Sequence, residues 1–101
     1  MFRLHKCEPV RGRFKVQNVF GLHVRPATRI CEIATSYPET TVKIAQESID
    51  YFVDAKSILG ILTVAAPKDT VYIVEACGPQ ASEVISAIQK ASNDMFGCHD
   101  E

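Results

Sequence analysis

The sequence predicts an α+β fold: a two-layer, open-faced sandwich in the order β-α-β-β-α-β-α. Its four-stranded, mainly antiparallel sheet is covered on one face by three helices. Three observations predict it. Strand-like alternation and helix-like stripes succeed one another along 101 residues, with no internal repeat and no linker that would divide domains. Each helical segment carries one apolar stripe and therefore needs one surface to cover. Four strand-like segments suffice for one sheet, and the economical packing places the helices on one face and leaves the other wet.

Residues 1–12 read as a loosely held N-terminal extension, 13–96 as the folded domain and 97–101 as a short tail. Phe14 to Val19 has strand composition, and Gly21 breaks it. Ala27, Ile30, Cys31, Ala34 and Tyr37 then fall on one helical face. Pro38 cannot continue that helix, which is expected to end at about Tyr37. Thr40 to Ala45 and Ile49 to Val53 both alternate, with Gln46-Glu47-Ser48 as a hairpin loop between them. Ser57 followed by Ile58-Leu59-Gly60-Ile61-Leu62 suits a short helix capped by Ser57, although so apolar a run also fits a buried strand. Pro67-Lys68-Asp69 is a turn, and Thr70 to Cys77 is the strongest strand. Gly78-Pro79 ends it. Ala81, Val84, Ile85, Ile88 and Ala91 stripe the last helix, which extends toward Met95, with Gly97 as its stop.

Composition excludes several function classes. A formal net charge of −1 leaves no broad basic face for nucleic acid. Arg3, Lys6, Arg11, Arg13 and Lys15 cluster near the start and read as a solvated, partly frayed arm. No apolar run approaches the ~20 residues of a membrane helix, and the N-terminus lacks the apolar centre of a signal peptide. The expected place is the cytoplasm, without membrane insertion. The four cysteines, Cys7, Cys31, Cys77 and Cys98, are scattered and expected to be free thiols there, with Cys31 and Cys77 as small core residues. His5, His23 and His99 are far apart, so no metal site is expected, and no cofactor either.

The chemistry concentrates at Gly21-Leu22-His23-Val24-Arg25-Pro26-Ala27, a strand-to-helix junction that puts His23 at or beside the helix N-cap. The first amides of a helix have no partner within it, and together with the helix dipole they favour an anion. Pro26 has no N–H, so the donors there are the backbone amides of Val24 and Arg25. The Arg25 guanidinium suits phosphate oxygens, and a neutral imidazole is a competent nucleophile near neutral pH. By spacing alone His23 is equally an ordinary loop residue. No phosphate loop with a Gly-Lys-Ser ending is present, so nothing points to nucleotide cleavage.

The heptad at 21–27 closely resembles the active-site signature of HPr, the histidine-containing phosphocarrier family of the bacterial phosphoenolpyruvate-dependent phosphotransferase system. A second segment, Asp54-Ala55-Lys56-Ser57-Ile58-Leu59-Gly60-Ile61-Leu62, resembles that family's regulatory-serine segment. The resemblance covers about residues 13 to 95. It implies an HPr-like fold and a protein that is a phosphocarrier with a transient phosphohistidine rather than an enzyme. His23 is then the phosphoryl acceptor through Nδ1, and Arg25 its charge partner. Ser57 matches the serine modified by a dedicated HPr kinase/phosphorylase. Thr28, Ile58, Leu59 and Leu62 are implied to dock partners. Those partners are enzyme I, charged by phosphoenolpyruvate, and an A-type enzyme II domain or a regulatory relative. The chain departs from the pattern at its N-terminal extension, at Glu32 on a helix that is often basic, and at Phe20, where a small or polar residue often precedes the Gly. Phe20 bears on how the His23 ring is held.

Two readings of the residues compete with docking and regulation. The 58–62 run is a partner patch or simply core, and Ser57 caps a helix whether or not it is phosphorylated. At the level of the whole chain, a sugar-transport carrier and a regulatory carrier (nitrogen-related or Ser57-dependent) share the same His chemistry. A non-catalytic interaction module with a structural His23, and a small phosphohydrolase, are the alternatives from other classes. The absence of a second general acid or a metal site argues against the last.

Overall fold

The computed structural model describes residues 7–99. Arg3, Lys6, His5 and the first half of the expected extension lie outside the described residues, as do the last two residues of the expected tail. The elements run β1 (Val10–Lys15), α1 (Val24–Thr35), β2 (Thr41–Gln46), β3 (Val53–Asp54), α2 (Ile58–Leu62), β4 (Val71–Cys77) and α3 (Ala81–Asn93). A single 3-10 turn, Met95–Gly97, closes the described chain. The strand order is β1-β4-β2-β3, and every pairing is antiparallel. The expected open-faced sandwich is thus the observed fold.

The register places Val10 opposite Ala76 and Lys15 opposite Val71 on one side of β4, and Thr41 opposite Cys77 on the other. In β4, Tyr72, Val74 and Ala76 are buried while Ile73 and Glu75 face the more open side, the alternation of a half-covered sheet. The buried side meets Ala27, Ile30, Ile33 and Ala34 of α1 and Val84, Ile85 and Ile88 of α3. Phe14 stacks on Tyr72 at 5.4 Å between ring centroids and meets Phe96 edge-on at 6.1 Å. The Tyr72 hydroxyl donates to the Val64 carbonyl at 2.6 Å, so the one polar atom of this ring is satisfied inside the core.

Several boundaries differ from the sequence-based expectation. The first strand is Val10–Lys15 instead of Phe14–Val19, so Val10 to Gly12, expected in the extension, pair in the sheet. Its length is set by its partner: β4 starts at Val71, and beyond it Val16 bonds the turn at Asp69 and Thr70. Arg11 and Arg13 are accordingly not an arm. They stand on the open sheet face, paired with Glu75 at 2.8 Å and Glu47 at 2.7 Å. The expected strand Ile49–Val53 shrinks to Val53–Asp54. Ile49 and Tyr51 bond backward to Gln46 and Ile49, and both side chains are exposed. Alternation marks which residues share a face, but it does not supply a neighbour for the backbone.

The C-terminus also differs. α3 stops at Asn93, and Met95 and Phe96 take left-handed backbone angles (φ 53° and 54°) that turn the Phe96 ring into the core. Cys98, expected in a tail, is buried behind it. The cysteines are not all free: Cys7 and Cys77 form a disulfide, with Cα atoms 5.8 Å apart, while Cys31 and Cys98 remain thiols. Cys77 is half-exposed because, one residue past buried Ala76, it points to the open face. β1 carries the chain up to this position alongside β4, a closeness that scattered spacing could not reveal.

Candidate functional site

The segment that carries His23 is built by a turn and two anchors. Asn18 to Gly21 forms a turn closed by the Gly21 N–H and the Asn18 carbonyl at 2.8 Å. Gly21 has φ +71°, and a Cβ there would run into the Ala66 carbonyl oxygen and the Pro67 backbone. Only glycine takes both the angle and the approach. Leu22 is buried, and its N–H donates to the same Ala66 carbonyl at 3.0 Å. The chain thus arrives at His23 with its direction set by the 66–67 turn.

His23 is the N-cap of α1, in extended geometry (φ −127°, ψ −165°). Its carbonyl accepts the Ala27 N–H at 2.9 Å, whereas its imidazole makes no capping bond to the helix. The residue is half-buried. Val24 and Arg25, the first two helical residues, are exposed, and Pro26 and Ala27 are buried under them. The Thr28 hydroxyl donates to the Val24 carbonyl at 2.7 Å and so stiffens the first turn. No acidic residue stands in that turn to disfavour an anion at this helix end. Such a position favours an anion by roughly 0.3–1 kcal/mol through the dipole alone. Glu32 lies two turns along, exposed and 3.5 Å from Arg29. The Phe20 ring stands nearly perpendicular to the His23 imidazole, with centroids 6.0 Å apart.

Ser57 is the N-cap of α2, and its hydroxyl accepts the Gly60 N–H at 3.0 Å. Just before it, the Lys56 ammonium donates to the Tyr37 carbonyl at 3.0 Å, beyond the C-terminal end of α1, and the Lys56 carbonyl accepts from the Cys31 thiol at 3.4 Å. These bonds tie the start of α2 to α1. Of the apolar run, Ile61 is buried and Leu62 packs half-buried against the core, while Ile58 and Leu59 are 37% and 78% exposed. The run therefore divides between core and surface, where the sequence had left it open to either.

Among the described residues, no group of three or more His, Cys, Asp and Glu lies together to hold a metal ion, and no helix is long and apolar enough to cross a membrane. Sequence reasoning missed Asn18. Its side chain is fully buried, and its amide donates to the Met95 carbonyl at 3.0 Å, joining the turn before His23 to the C-terminal turn. The signal was present: Asn followed three residues later by Gly is the pattern of a tight turn. Sequence reasoning also missed the exposed apolar residue Val19 in the turn before His23, while Val24, expected there as a backbone donor, has an exposed side chain as well.

Comparison with known proteins matches the family model described as PTS HPr component phosphorylation site over residues 10–94. The chain is 30% identical over 88 residues to the phosphocarrier protein HPr of Neisseria meningitidis, covering 87% of this chain and 96% of that one. It is 26% identical over 87 residues to the phosphocarrier protein NPr of Escherichia coli K12, covering 86% and 94%. Among solved structures it is similar to the HPr-C-His of Thermoanaerobacter tengcongensis, with a TM-score of 0.79 at 26% identity over 87% of this chain and 96% of that one.

Proposed function

The chain belongs to the HPr family of phosphocarrier proteins, and on that premise we propose that His23 is the residue that carries the phosphoryl group. The single observation that supports it is the placement of His23: an imidazole at the N-cap of α1, not used as a cap, beside exposed Val24 and Arg25 and a first turn without acid. The neutral imidazole Nδ1 attacks phosphorus with its lone pair. The bond from phosphorus to the donor breaks, and its electron pair stays with the donor. The Val24 and Arg25 amides and the Arg25 guanidinium face the oxygens of the transferred group. Enzyme I, charged by phosphoenolpyruvate, is the donor, and an A-type enzyme II domain or a regulatory relative is the acceptor.

Ile58 and Leu59 supply exposed apolar surface for docking, Leu62 backs them from the core side, and Thr28 acts through the turn it stiffens. Ser57 is the site at which a kinase/phosphorylase of the HPr type would modify the chain. Negative charge at that N-cap would disfavour approach of enzyme I.

The test is to mix the protein with phosphoenolpyruvate, magnesium and enzyme I, and to read intact mass before and after mild acid. An acid-labile phosphoryl adduct that His23→Ala lacks is the expected result. No adduct with an active, matched enzyme I overturns the proposal in favour of an interaction module. The nearly equal coverage of a relative named NPr favours a second reading, in which the same phosphohistidine serves regulation instead of sugar transport. Transfer from the phosphorylated protein to a sugar-specific A domain or to a regulatory one separates the two.

A further inference from the structure

We infer that Phe20 is a positioning residue for the His23 imidazole, an inference that rests on the phosphocarrier reading of His23. The backbone leaves Phe20 few choices. Gly21 is locked against Ala66 and Pro67, Leu22 is buried, and the turn from Asn18 to Gly21 places Phe20 at its third position. From there its side chain cannot reach the core, and it is 70% exposed. An exposed phenyl ring at a tight turn is poorly accounted for by stability, since it keeps most of its apolar surface in water. What the ring does have is His23: centroids 6.0 Å apart and planes at 82°. That is the edge-to-face arrangement aromatic rings prefer, in which the positive edge of one meets the negative face of the other.

The consequence is orientation. A perpendicular ring favours one setting of the imidazole about its χ2 torsion. The reacting nitrogen is then presented in a narrower range of directions than a bare loop histidine would allow, and a nucleophile held near its line of attack reacts faster. A contact of this kind is worth about a 2- to 10-fold preference for the favoured orientation. Phe20 does not touch the phosphoryl group. It acts through the His23 ring.

Four proteins test this: wild type, Phe20→Ala, Phe20→Leu and Phe20→Tyr. Circular dichroism checks that each is folded. Two measurements follow: the NMR shifts of the His23 ring protons in the unphosphorylated protein, and kcat and KM for phosphoryl uptake from enzyme I. The expected result is that Phe20→Ala and Phe20→Leu both lose the ring-current shift at His23 and lower kcat about 2- to 10-fold, while Phe20→Tyr keeps both. Unmoved His23 shifts in Phe20→Ala overturn the inference. So does a change confined to KM, which would make Phe20 a partner contact. Wild-type protein that accepts no phosphoryl group overturns the phosphocarrier reading itself, and the positioning role with it. Uptake by wild type with Phe20→Ala unchanged in kcat overturns the positioning role alone.

Discussion

Gly21 and Ala66 meet backbone to backbone: the space where a Gly21 side chain would stand is already filled by the Ala66 carbonyl oxygen, which also accepts the Leu22 N–H at 3.0 Å. This contact ties the loop after α2 to the loop before α1, so the direction in which His23 leaves the sheet depends on a residue more than forty positions away. Gly21→Ala must either abandon φ +71° or push the 66–67 turn aside. The left-handed angle and the overpacking together are expected to cost about 2–5 kcal/mol, read as a lowered urea midpoint. Phosphoryl uptake by the folded fraction should fall as well, because Leu22 and His23 shift together.

Burial of Tyr72 raises the pKa of its phenol well above the ordinary value of 10.0. The unfolded chain therefore releases this proton at a lower pH than the native one. The stabilisation is complete below pH 10 and is lost progressively as pH rises above it, since there the native state binds more protons than the unfolded state. Unfolding free energy measured in urea is expected to decline above pH 10 more steeply in wild type than in Tyr72→Phe. At neutral pH that variant should lose only about 0.5–1.5 kcal/mol, because the Val64 carbonyl keeps the Gln46 amide as a second donor at 3.2 Å.

Asn18→Ala removes the bond to the Met95 carbonyl from a fully buried place. A loss of about 1–3 kcal/mol is expected. Hydrogen exchange should show the loosening at both ends of the bond, in the 18–21 turn and in the Met95–Gly97 turn. Loosening confined to the first turn would mean that the C-terminal turn stands without Asn18.

Ser57→Ala and Ser57→Asp separate capping from regulation. Alanine cannot accept the Gly60 N–H and should cost about 0.5–2 kcal/mol. Aspartate can accept it, so Ser57→Asp is expected to unfold close to wild type yet take phosphoryl from enzyme I more slowly. Equal uptake by the two variants would leave Ser57 as a cap alone.

The Cys7–Cys77 disulfide closes a sequence separation of 70 residues. In the chain-entropy account such a loop is worth about 4 kcal/mol. Cys7→Ser, or reductant added to wild type, should lower the unfolding free energy by about that amount, read from a lowered urea midpoint. Thiol titration of the unfolded, unreduced protein should count Cys31 and Cys98 and no others.

The local signals in the chain were sufficient for whatever depends on neighbours in sequence. One-sided stripes marked α1 and α3, and Ser57 before an apolar run marked its cap. The spacing of Gly21, His23, Arg25 and Pro26 marked a strand-to-helix junction with an anion-favouring end. Each follows from periodicity or from the unsatisfied amides of a helix start, which are properties of a few consecutive residues.

Tertiary structure decided the rest. The limits of β1 and β3 depend on how far a partner strand runs, which no residue in them encodes. The split of Ile58 to Leu62 into buried and exposed members depends on where α1 lies. Cys7 meets Cys77, Asn18 meets Met95 and the Phe96 ring enters the core only because the chain returns to the same place after dozens of residues. His23 was legible as a candidate; its surroundings, the Ala66 carbonyl behind Gly21 and Leu22 and the Phe20 ring perpendicular to its imidazole, are contacts made in space.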